Sequence, residues 1–171
     1  SSPVKLFAQR KTLPVFQPNS FKESETQTAL ATLNADLVIV AAYGKLLPRI
    51  VLEMPPLGCL NIHPSLLPRH RGSSPVVAAI LSGVEETGVT VMMLDEGLDT
   101  GPLLAQREVR IGREETAPEL TARLFEIGAD LLIELLPELC AGSLKPLPQD
   151  ESEATLSVRM SREDGRIDWS E

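Results

Sequence analysis

A chain of 171 residues, 43% of them hydrophobic, is long enough to bury one core of ordinary size. Its formal charge of −8 argues against a generally basic, nucleic-acid-coating surface, while leaving room for a local basic patch. No apolar run approaches the roughly 18 residues needed to span a bilayer, and "SSPVKLFAQRK" at the start has no signal-peptide core. A chain off the membrane and not exported is the expectation. Cys59 and Cys140 match no metal or redox spacing and read as two buried free thiols in a reducing compartment.

In chain order, "SSPVKLFAQ" opens as a helix with Ser2 as its cap and Pro3 in the first turn, where a missing N–H costs nothing. "TLPVFQP" is a short strand candidate. "NSFKESETQTALATL" predicts a helix capped by Asn19 or Ser20. The continuous apolar, β-branched run "ADLVIVAAYG" (35–44) has the pattern of a parallel strand buried on both faces. "PRIVLEM" (48–54) allows a helical turn or two, and "LGCLNIH" (57–63) predicts a second buried strand.

"SSPVVAAILSG" (73–83) reads as a short helix with Ser74 as cap, Pro75 at its start and Gly83 just beyond its end. "TGVTVMMLDEGLDTGPLLAQREVRI" predicts two strands joined by an acidic, Gly-rich loop over 95–101. Thr116 and Glu119 form a capping box for a long helix carrying Leu120, Leu124, Ile127, Leu131 and Leu135 on one face. Pro137 kinks that helix or starts another turn, and Gly142 marks an end. From about Lys145 the chain turns polar and acidic, carries its single tryptophan, Trp169, and reads as an extended segment leaving the domain. Buried strands alternating with helices predict an α/β sheet.

In open α/β sheets, ligands sit beyond the carboxyl ends of strands. If the strands ending at "AYGKLL", "NIHP" and "DEGLDTG" are neighbours, Asn61, His63 and Asp99 meet at one edge. Asn61 and His63 lie two apart on a strand and so share a face. An amide, an imidazole and a carboxylate together can stabilise an oxyanion and move a proton in acyl-type transfer. Each residue also has a plainer reading. A histidine at a strand end can be structural, an asparagine can bond loop backbone, and Asp95, Glu96 and Asp99 can serve a turn or a cation. His63 and His70 lack partners for a zinc site, Arg69 and Arg71 fit a solvated loop or an anion contact, and no activated Ser or Cys nucleophile is present.

The strings "NIHPSLLPRHRG" and "ETGVTVMMLDEGLDTGPLLAQ", in this order, resemble the formyltransferases that use 10-formyltetrahydrofolate. "ADLVIVAAYGKLLP", "QTALATLNADL" and the tail "PLPQDESEATLSVRMSREDGRIDWS" are similar to the branch that formylates methionine on initiator tRNA. The resemblance implies an α/β, Rossmann-like formyltransferase domain with a mostly parallel sheet, here lacking its first strand–helix unit. Residues 1–144 would be a partial catalytic domain, and 145–171 the link to a barrel-like C-terminal domain outside this sequence. The implied co-substrate is 10-formyltetrahydrofolate, without a metal, and the implied partner is initiator methionyl-tRNA, bound mainly through segments outside this sequence. A monomer in the bacterial cytoplasm or an organelle matrix is expected of the full-length protein.

Carried onto this sequence, Asn61 would bond the formyl oxygen as it becomes an oxyanion and His63 would stabilise charge there. Asp99 would keep His63 protonated and help remove the amine proton. The backbone at Lys45, Leu46 and Leu47, with Leu94 and Asp95, would line the pterin pocket, and Ser65, Leu66, Leu67 and Pro68 would shape the loop beside it. His70 stands where the family has an aromatic residue such as Trp, and no role is assigned to it. "PRHRG" also resembles formyltetrahydrofolate hydrolase domains. Water, or a small amine such as glycinamide ribonucleotide or a sugar, is therefore an alternative acceptor. A non-catalytic folate-binding fragment is a third reading, should the outlying segments be truly absent.

Overall fold

The computed structural model describes residues 2–161, 163–167 and 169, and the chain divides into two units, Ser1–Asn34 and Ala35–Glu171. In the first unit, helix α1 (Pro3–Arg10) starts as its sequence predicts: the Ser2 hydroxyl oxygen accepts from the Lys5 N–H at 3.3 Å. Helix α2 (Ser24–Ala31) starts later than expected. Ser20 uses its hydroxyl to close a turn onto the Lys22 N–H at 3.0 Å, and Glu23 takes the cap position without a side-chain bond. No strand forms over residues 12–18, where Pro14 and Pro18 remove two of the donors a ladder would need.

The second unit is built on a four-stranded sheet in the order β1 (Val38–Ala41), β2 (Cys59–His63), β4 (Glu86–Met93), β5 (Leu103–Arg110). Between these run helix α3 (Arg49–Leu52), the two-residue strand β3 (Arg71–Gly72) and helix α4 (Pro75–Leu81). β1 pairs with β2 in parallel, as expected of a βαβ-type connection; β4 is antiparallel to β2 and β5 is antiparallel to β4. The parallel part of the sheet is thus the β1–β2 pairing, because β4 and β5 form a hairpin around the 94–102 loop. β1 is also not buried on both faces. It is an edge of the sheet, and Ile39 is 47% exposed.

Helix α5 (Ala117–Cys140) carries the predicted capping box and runs through Pro137. Its Leu120, Leu124, Leu131 and Leu132 pack with Leu60, Ile62, Val89 and Val91 of the sheet to form the core. Gly128 marks the closest approach: a Cβ there would stand 2.5 Å from Ile62 Cγ2.

The segment after Lys145 does not leave this unit directly. Leu147 exchanges two 2.8 Å backbone hydrogen bonds with Leu103, and strand β6 (Leu156–Ser157) pairs in parallel with β3. Large apolar side chains stand open along this segment, among them Leu147, Leu156, Val158 and Trp169. Just before it Cys140 is exposed rather than buried as expected, while Cys59 is buried.

Candidate active site

β2 alternates sides as a strand must. Leu60 and Ile62 enter the core with α5, while Asn61 and His63 face the other way. Both are buried, at 9% and 3% exposure, on the wall of a cavity of about 370 Å³. Asp99 reaches them by an indirect route. Because β4 is antiparallel, Met93 lies opposite Leu60, so the loop that follows starts beside the wrong end of β2. It doubles back, with Asp99 in the left-handed region (φ +54°), and sets its carboxylate against both residues. The three residues do meet, by a returning loop rather than at a common edge of parallel strands.

The Asn61 Nδ2–H donates to Asp99 Oδ1 at 3.4 Å, and the Gly72 N–H donates to Oδ2 at 2.8 Å. Gly72 suits this contact because its φ is +106° and a Cβ would lie 2.7 Å from the Ser157 carbonyl oxygen. His63 Nε2 lies 3.1 Å from the His70 carbonyl oxygen. A carbonyl only accepts, so Nε2 carries the proton, and Nδ1 is left facing Asp99 Oδ2 at 3.7 Å. That separation is longer than a hydrogen bond but within reach of a charge interaction.

Burial lowers the pKa of His63 and outweighs Asp99 and the His70 carbonyl, which raise it. Asp99, 3.7 Å away, favours the charged form of a ring that is 3% exposed, and burial disfavours it. Nδ1, the ring nitrogen without the proton, has the carboxylate alongside.

The other expected residues divide sharply. Lys45 lines the cavity, whereas Leu46, 56% exposed, and the buried Leu47 are not among its lining residues. Ser65, Leu66, Leu67 and Pro68 lie behind the wall rather than on it. The Ser65 hydroxyl donates to the Arg69 carbonyl at 2.6 Å, and the Leu67 N–H donates to Thr90 Oγ1 at 3.1 Å, just before a cis Leu67–Pro68 bond. Leu94 and Asp95 do not line the cavity either; Asp95 is occupied with the Gly97 N–H and the Thr100 hydroxyl of its own turn. Pocket walls missed by the sequence reading include Tyr43, Val76, Leu98 and Phe125. Tyr43 and Val76 were signalled by closeness in sequence to a strand end and a helix start, whereas Leu98 in its loop and Phe125 within α5 had no such signal.

His70 acquires a role that its side chain would not suggest. Its backbone is left-handed (φ +58°), with the N–H donating to Thr155 Oγ1 at 2.8 Å and the carbonyl turned onto His63. Among the described residues no cluster of His, Cys, Asp or Glu could hold a metal ion, and no helix is long and apolar enough to cross a membrane.

An asparagine, a buried histidine and an anchored aspartate around one cavity suit acyl-group transfer to a nucleophile. The comparisons with known proteins agree. Residues 1–136 match the Formyl transferase family, and the chain belongs to it. The sequence is 50% identical over 168 residues to a methionyl-tRNA formyltransferase of Chloroflexus aurantiacus, covering 98% of this chain and 54% of that protein. The chain thus spans about half the length of the curated relatives it matches. Among solved structures it resembles glycinamide ribonucleotide transformylase 1 from Geobacillus kaustophilus, with 36% identity, a TM-score of 0.65, and coverage of 75% of this chain and 72% of that one. It also resembles a formyltransferase from Anoxybacillus kamchatkensis in complex with UDP-4,6-dideoxy-4-formamido-L-AltNAc and tetrahydrofolate. There the identity is 25%, the TM-score 0.71, and the coverage 90% of this chain and 79% of that one.

Proposed function

We propose that this chain carries the formyl-transfer site of a protein that formylates the methionine of initiator methionyl-tRNA, with 10-formyltetrahydrofolate as donor. The observation that carries the chemistry is the Asn61–His63–Asp99 constellation on one cavity wall. The tRNA acceptor is supported by the 50% identity over nearly the whole chain. In keeping with that, residues 1–144 belong to the catalytic domain, and 145–171, docked on it as far as Ser157, lead toward a further domain. The setting is the cytoplasm or an organelle matrix, and the whole protein works as a monomer.

The cavity suits the donor's ring system. At about 370 Å³ it falls in the range of small-molecule sites, and its walls are largely apolar, with Val40, Val76, Leu98 and Phe125, beside the polar Asn61, His63 and Asp99. When bound, 10-formyltetrahydrofolate supplies an electrophilic formyl carbon. Asn61 presents an amide N–H where the formyl oxygen gains negative charge as the methionine amine attacks. His63, neutral at rest, takes the amine proton at Nδ1, and Asp99 then faces an imidazolium it can stabilise. As the oxyanion collapses, the bond from the formyl carbon to N10 breaks and the same proton passes to that nitrogen, releasing tetrahydrofolate and returning His63 to its neutral form. The His70 carbonyl holds Nε2–H, so the ring cannot turn its basic nitrogen away.

Formyl transfer by the whole protein to methionyl-tRNA, to small amines and to water tests this reading. His63→Ala and Asp99→Asn should each slow turnover by about 10²-fold or more. Unchanged turnover in both variants sinks the mechanism. Transfer only to water or a small amine overturns the tRNA acceptor and keeps the formyl chemistry.

A further inference from the structure

The family match ends at residue 136, yet the polypeptide beyond it touches the proposed site. Gln149 Nε2 donates to the Asp99 carbonyl at 2.8 Å and to the Gly101 carbonyl at 2.7 Å. Its Oε1 accepts from Arg71 Nη2 at 2.8 Å and Nε at 3.1 Å. The Arg71 side chain is itself buried, only 6% exposed, and forks onto Glu151 at 2.7 and 2.9 Å. A guanidinium can only donate, so Arg71 fixes which end of the Gln149 amide faces it and forces the N–H2 toward the two carbonyls.

Asp99 needs such a hold. It is a non-glycine residue in the left-handed region, a conformation that persists only when its surroundings over-determine it. The Gly72 N–H holds its carboxylate and Gln149 holds its carbonyl, and Arg71 and Gly72 are the two residues of β3. One short strand thus reaches Asp99 from both ends, directly and through Gln149.

Resting on the formyl-transfer reading, we propose that Gln149 and Arg71 are positioning residues for Asp99. The segment 147–157 is then part of the catalytic unit rather than a passive connection to whatever follows. Its loss should let the aspartate move off His63 without altering the cavity walls.

The test uses the whole protein with Gln149→Ala, Gln149→Glu and Arg71→Lys, and with Glu153→Gln as control. Glu153 sits in the same segment but joins only the exposed pair with Arg69 at 3.1 Å. Gln149→Glu keeps the volume and an acceptor for Arg71 but has no N–H for the carbonyls, so it should behave like Gln149→Ala. In both, kcat should fall by about tenfold or more while KM for methionyl-tRNA stays within about twofold, with Arg71→Lys intermediate and Glu153→Gln unchanged. The His63 ring titration, followed by NMR and assigned by its loss in His63→Gln, should move to lower pH as Asp99 withdraws. An unmoved titration in Gln149→Ala and Gln149→Glu overturns the proposal, whatever happens to kcat. Should Gln149→Ala fail to fold, the isosteric Gln149→Glu decides. The titration needs no substrate, so it still decides if the whole protein transfers no formyl group, a result that would sink the functional reading instead.

Discussion

At the residue scale, His63 is both the base of the proposed chemistry and a cost at low pH. Its folded pKa lies below the ordinary value of 6.5, chiefly through burial. On acidification the unfolded chain takes up the proton first, so stability is full above 6.5 and is lost as pH falls toward the folded pKa. His70 is lowered in the same direction by burial and Arg69, so it adds to the loss. Urea midpoints measured between about pH 7 and pH 5 should fall for the wild type and fall less for His63→Gln. Equal slopes would remove His63 as the cause. Asn61 and His63 were legible in the sequence because a two-residue spacing on a buried strand fixes a shared face. The part played by His70 was not, since it is carried by the backbone carbonyl, which no side-chain pattern encodes.

At the element scale, the contact between α5 and the sheet decides how β2 is held. Gly128→Ala sets two effects against each other. Alanine gains up to about 1 kcal/mol of helix propensity, while overpacking costs about 1–3 kcal/mol. The new Cβ would meet Ile62 Cγ2 at 2.5 Å and Val89 Cγ2 at 2.8 Å, both on β-branched side chains that cannot rotate away. The clash should win by about 1–2 kcal/mol in urea denaturation; a variant as stable as the wild type would show that the helix can lift off at no cost. Elements with strong periodicity or capping, such as α1, β2 and α5, could be read from the residues. The two-residue strands β3 and β6 could not, because so short a pairing has no pattern and each exists only through the other. Strand β1 was over-read for a related reason: a continuous apolar run signals burial, but not which neighbours supply it.

At the scale of the whole second unit, the chain closes on itself over residues 147–157. The Arg71 N–H donates to the Thr155 carbonyl at 2.9 Å, the Thr155 N–H to the Pro68 carbonyl at 3.2 Å, and Leu147 pairs with Leu103. Hydrogen exchange should therefore show the amides of Arg71, Leu147 and Thr155 protected well above those of residues 158–160. Uniformly fast exchange from Lys145 onward would mean that the segment does not stay docked. Composition alone placed this stretch outside the domain, since it is polar and acidic. The polar groups proved to be its means of attachment, with Glu151 and Gln149 meeting a buried arginine.

The sequence by itself determined the α/β class, the long capped helix, and the Asn61–His63 pair on one strand face, all of them consequences of local period and spacing. Tertiary structure alone decided the rest: that β4 runs antiparallel, that Asp99 arrives by a loop folded back along β2, that burial lowers the pKa of His63, and that Gln149 reaches the same loop. Each of these depends on contacts between residues distant in sequence, in an environment whose polarity and burial are set only once the chain has closed around it.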